Sequence, residues 1–130
     1  MVKIRELLNK PLVEAILELR WHIDPEIGDP NYSIFVGGIY SILKTKYKFH
    51  EPLPSSMIPE RIAGSFVQHR FRIEKNKWPL IQVGPGIVTL NDTTNYTWTD
   101  FGQRANELVK AMFKAYPKPE EMRISNLVLR

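Results

Sequence analysis

Cysteine is absent from this chain of 130 residues. That absence excludes disulfides, thiolate metal sites and thiol nucleophiles together. Long apolar runs are missing too: none approaches the roughly 20 residues a membrane helix needs, so no membrane partner is expected. The opening MVKIRELLNKP alternates charge with short apolar pairs and lacks the continuous apolar stretch of a secretion signal. The expected compartment is therefore the cytoplasm. The N-x-[ST] matches at Asn31, Asn91 and Asn95 carry little weight in such a chain. No internal repeat or low-complexity tract is present.

Several chemical signatures are missing as well. There is no G-x-x-x-x-G-K-[ST] loop to cradle a phosphate, no G-x-S-x-G nucleophile elbow and no H-E-x-x-H zinc helix. His22, His50 and His69 are not spaced as a helical metal pair. Glu14 and Glu18, on one face of a strand, would be about 13 Å apart, too far to share acid–base work. No catalytic, cofactor or metal residue is assigned, and an enzyme is the third choice of function.

What is present points to one domain. A formal net charge of +4 leaves nucleic-acid or other polyanion binding open. The excess gathers at Arg70, Arg72, Lys75 and Lys77, the candidate polyanion-binding residues, with more lysines in KTKYK at 44–48.

Periodicity supplies the architecture. From Val13 to Ile23 apolar residues alternate with Glu14, Glu18, Arg20 and His22, the period of a half-buried, central strand. Asp29-Pro30 reads as an N-cap and first helical residue. Tyr32, Val36, Tyr40, Leu43 and Tyr47 then recur at helical spacing, widened by Phe35, Ile39 and Ile42. Gly37-Gly38 inside that helix implies a close crossing against a sheet. Residues 50–64, with three prolines, read as an irregular loop.

SFVQHRFRIE and WPLIQVG form a hairpin about Lys75-Asn76-Lys77. Gly84-Pro85-Gly86 bends or interrupts the second strand, which resumes at Ile87–Leu90, because proline removes a ladder donor. Thr97-x-x-Asp100 has capping-box form and opens a helix with Phe101, Ala105, Leu108, Met112 and Ala115 on one face. MRISNLVLR is the last strand. The fold class is α+β: an antiparallel sheet with two helices on one face, in the βαββαβ order of ferredoxin-like folds. That order also occurs in RNA-recognition modules, but no RNP1 pattern is present.

Four stretches, NKPLVEAILELRW, FVQHRFR, WPLIQVGPGIVTLND and YTWTDF, resemble a sporadically distributed family of uncharacterised bacterial and archaeal proteins. The resemblance spans most of residues 9–130 and carries no catalytic residue across. Members of that family are longer, so the resemblance implies that this chain is either a short form or the N-terminal part of a longer protein. A site built between two halves would then be incomplete here.

The leading expectation is a non-catalytic interaction module that binds a protein partner or itself. Leu127 and Leu129 in the apolar terminal strand are the candidate self-association residues.

Overall fold

The computed structural model describes residues 14–24, 26–57, 66–93, 97–122 and 124–129. Among the described residues, six strands and two α-helices follow one another as β1 (Ala15–Trp21), α1 (Tyr32–Leu43), β2 (Phe49–Pro52), β3 (His69–Arg72), β4 (Leu80–Gly84), β5 (Ile87–Asp92), α2 (Trp98–Ala115) and β6 (Ile124–Leu129). The strands form one antiparallel sheet in the order β2-β3-β4-β5-β1-β6. The fold is α+β. Among the described residues no helix is long and apolar enough to cross a membrane.

The predicted six-element order needs two corrections. Residues 50–52, expected as loop, join Phe49 in the edge strand β2 against β3. Pro52 misled the reading because an edge strand tolerates a residue without an N–H. The second correction concerns Gly84-Pro85-Gly86. Gly84 faces Ile87 across the β4–β5 ladder, so Pro85 and Gly86 form a two-residue hairpin turn. The chain reverses there, and what read as one kinked strand is two. Pro85 sets the first turn residue, and Gly86 at φ +70° supplies the positive φ that a type II turn needs at its second.

Both glycines are also required by neighbours. A Cβ on Gly86 would stand 2.8 Å from the Trp21 carbonyl oxygen, whose residue donates its N–H to the Gly86 carbonyl at 3.0 Å. A Cβ on Gly84 would lie 2.2 Å from the Phe66 carbonyl oxygen.

The period of two in β1 has the expected parity. Ala15, Leu17, Leu19 and Trp21 are buried. Glu14, Glu18 and Arg20, expected to be largely solvated, are only half-exposed, and Val13, expected to be buried, lies outside the described residues. Register carries the same parity across the sheet: Leu17 faces Leu90, Leu90 faces Ile81, and Ile81 faces Phe71. These residues join Phe35, Ile39 and Leu43 of α1 and Phe101, Leu108 and Met112 of α2 in one core.

Trp21 and Phe35 meet edge-to-face at 5.6 Å, and Phe35 meets Tyr116 at 5.3 Å. Such pairs contribute about 0.5–1.5 kcal/mol each beyond area burial.

Helix α1 is rotated relative to the predicted stripe. Its buried line is Tyr32, Phe35, Ile39 and Leu43, whereas Tyr40 and Ile42 are exposed. Its N-cap is Asn31 rather than Asp29. Asp29 instead accepts from the Asn31 N–H at 2.9 Å and from the Tyr116 hydroxyl at 2.7 Å, tying the start of α1 to the end of α2.

Gly38 does mark a close crossing, but with the other helix: a Cβ there would meet Ala115 Cβ at 2.9 Å. Gly37 faces open space. Helix α2 begins as the motif requires, with Asp100 N–H donating to Thr97 Oγ1 at 3.1 Å.

Candidate functional site

The four basic candidates fall on a strand and the turn that follows it. Arg70 and Arg72 lie on β3, while Lys75 and Lys77 belong to the turn into β4. Arg72 is buried, with Nε donating to Glu51 Oε1 and Nη1 to the Lys77 carbonyl at 2.9 Å. Its guanidinium also sits 5.3 Å from the Trp78 ring centroid. Lys77 Nζ lies 3.4 Å from Glu74, and both side chains are well exposed. Asn76 between them takes φ 60°, which fits the predicted turn.

Arg70 heads a relay across the sheet face opposite the helices. Its Nε and Nη2 donate to Gln82 Oε1 at 3.1 and 3.0 Å. Gln82 Nε2 donates to Thr89 Oγ1 at 3.3 Å, and Thr89 Oγ1 donates to Asn91 Oδ1 at 2.9 Å. Asn91 Nδ2 closes the relay on Glu14 Oε2 at 3.3 Å.

The strand of Arg70 and Arg72 is not adjacent to that of Glu18. Strands β4 and β5 lie between, and Arg70 reaches Glu14 only through three neutral side chains. Glu18 is held by Arg20 of its own strand at 2.8 Å. A linked series of this kind polarises along its length, which favours fixed side chains over free ligand donors.

The histidines fall out differently. His22 is exposed just beyond β1. His50 and His69, from β2 and β3, meet with Nε2 of one 2.9 Å from Nδ1 of the other. His69 shares the helix-side face with Val83 and Phe71, as its alternation predicts. Desolvation by burial, then the neighbouring His50, pushes its imidazole below the usual value of 6.5.

His69 and Glu14 lie on opposite faces of the sheet, so they gather no common pocket. Among the described residues no three His, Asp or Glu side chains form a metal set. Sequence spacing could not reveal the His50–His69 pair, because the element carrying His50 was read as loop.

Between the end of α1 and α2 lies an open cleft of about 290 Å³, floored by Ile42, Leu43 and Ala111 and rimmed by Lys46, Lys110 and Lys114. Lys46 is tied to Glu107 at 2.8 Å.

The sheet ends in two unlike edges. One edge, β2, has four residues and ends in Pro52. The other, β6, has six residues, ISNLVL, with neither proline nor charge. Register sets Leu127 opposite Leu19 and Leu129 opposite Leu17, the core-side positions of β1. Val128 stands opposite Glu18 and Asn126 opposite Arg20, the positions of the other face. The self-association candidates Leu127 and Leu129 therefore occupy core-side register. Among the described residues no strand pairs with the outer edge of β6. Compared with protein-family models, curated proteins and solved structures, the chain matches none of them.

Proposed function

We propose that this chain is a non-catalytic interaction module that joins a second copy of itself by antiparallel pairing of the two β6 edges. The observation that carries the reading is the asymmetry of the sheet. Soluble proteins blunt their edges with short strands, prolines and charges. Strand β2 has such features: four residues, a terminal proline and Glu51. Strand β6 has none, and among the described residues no strand pairs with its outer side. Two copies related by a two-fold axis would satisfy both edges at once and leave one continuous sheet.

The strand order supports a finer reading of the fold. The last strand lies beside the first, and the first beside the strand that precedes α2. This is a ferredoxin-like arrangement whose central hairpin has grown into the four-strand meander β2-β3-β4-β5. Polyanion binding through Arg70, Arg72, Lys75 and Lys77 has less support, because Arg70 and Arg72 spend donors on Gln82, Glu51 and the Lys77 carbonyl.

Sedimentation equilibrium tests the reading. A dimer is expected that Val128→Lys weakens at least ten-fold, about 1.4 kcal/mol. Val128 is preferred to Leu127 or Leu129 because its register partner is Glu18 rather than a core leucine. Phe49→Lys on the opposite edge serves as control and leaves association unchanged. A chain that stays monomeric at millimolar concentration, or a dimer indifferent to Val128→Lys, refutes the proposal.

A further inference from the structure

The contact between His50 and His69 joins two side chains from different strands at the edge of the sheet away from β6. Its geometry is specific. The two nitrogens are 2.9 Å apart, and the ring centroids are 5.1 Å apart with planes inclined by 27°. Since a ring nitrogen lies about 1.15 Å from its centroid, the centroid distance is nearly the longest that this nitrogen separation allows. The rings therefore address one another end-on, the N–H of one toward the lone pair of the other.

A tetrahedral zinc ion with nitrogen ligands at 2.0–2.1 Å would hold two such nitrogens about 3.3 Å apart and their centroids about 5.2 Å apart. The centroids are thus already placed to within a few tenths of an ångström. A tilt of each ring by about 35° about its centroid would part the nitrogens and admit the ion at a tetrahedral angle.

We propose that His50 and His69 form a two-imidazole site for a late divalent transition metal, zinc or copper(II), taken up in place of the shared proton. Imidazole suits both ions, and copper(II) binds the tighter of the two by the general order of divalent affinities.

The surroundings support the assignment. His50 stacks on Phe71 with centroids 5.1 Å apart, and Tyr40 of α1 stacks on the same Phe71 at 5.8 Å. These contacts back the His50 ring on one side, and an apolar backing of this kind tunes a metal site. His50 is exposed, which leaves the ion a path of entry. Both imidazoles must be neutral to ligate. Two protein ligands leave the other coordination positions to water or an exogenous donor.

The full chain, freed of metal with a chelator, is titrated with zinc by calorimetry and with copper(II) by electron paramagnetic resonance. One ion per chain is expected, with copper hyperfine coupling to two imidazole nitrogens. His50→Ala and His69→Ala should each weaken binding by about a hundred-fold, the upper end of what outer-shell changes cost. His22→Ala should leave it unchanged.

Should His69→Ala fail to fold, the exposed position decides through His50→Ala and His50→Phe. No saturable uptake of either ion overturns the proposal. So does binding that survives substitution of His50. The site lies on β2 and β3, so its failure leaves the β6 reading untouched, and the converse holds.

Discussion

Gly84→Ala and Gly37→Ala are the same chemical change with opposite expected outcomes. At Gly84 the added methyl would sit 2.2 Å from the Phe66 carbonyl oxygen and 2.8 Å from Val67 Cα. Both are backbone atoms, so no side-chain rotation relieves the overlap. The segment is anchored besides, because Gln68 N–H donates to the Val83 carbonyl at 2.8 Å beside the glycine. Overpacking costs typically 1–3 kcal/mol, and rigid neighbours put this case at about 3 or above.

At Gly37, in mid-helix, nothing lies within 4 Å of the added carbon. The change to alanine there gains about 0.8–1.0 kcal/mol of helix propensity. With an unfolding entropy of about 2.1 cal/mol/K per residue, a chain of this length changes its Tm by roughly 3–4 °C per kcal/mol. Thermal unfolding followed by circular dichroism should therefore show Gly84→Ala about 10 °C below the parent and Gly37→Ala about 3 °C above it. A Gly84→Ala protein within 3 °C of the parent would refute the close approach of residues 66–67 to β4. A Gly37→Ala protein that melts lower would refute the open helix face.

Tyr116→Phe removes the hydroxyl that donates to Asp29 at 2.7 Å and leaves a buried carboxylate short of a partner. Hydrogen bonds to charged groups contribute about 1.5–3 kcal/mol, so urea unfolding should show a loss near 2, and no loss would sink the tie between the helix ends. The lowered His69 pKa makes a pH prediction. The unfolded chain takes up its proton first, so this stability is fully present above about pH 6.5 and is lost as pH falls toward the folded value. His69→Gln should flatten the decline between pH 7.5 and 5.5, and an unchanged slope would place the titration elsewhere. Thr97→Ala should cost about 1 kcal/mol through the lost cap, read from the same urea curves.

The elements read most directly from the sequence are those whose signal is local. The parity of β1 needs only alternation, and the cap of α2 needs only Thr97 and Asp100 three residues apart. The turn at Asn76 and the α+β class follow from patterns of the same short range. The sequence also placed Gly86-type flexibility at the right point, but hydrophobic pattern cannot tell a bend from a reversal. Residues on both sides of Pro85-Gly86 are apolar and buried in either case, and only the pairing of Gly84 with Ile87 decides.

The candidate site was less legible because it depends on which strands become neighbours. Arg70 and Glu14 are 56 positions apart, and their link exists only because β4 and β5 place Gln82, Thr89 and Asn91 between them. His50 and His69 meet because β2, a four-residue strand ending in proline, forms against β3 despite its weak propensity. Its formation comes from a ladder offered by a partner, a tertiary term that composition does not contain. Residue types and local periods determined the pieces of this protein and the side of each that faces inward. Only the tertiary structure decided the strand order, and with it which charges are spent on one another and which strands stand at the edges among the described residues.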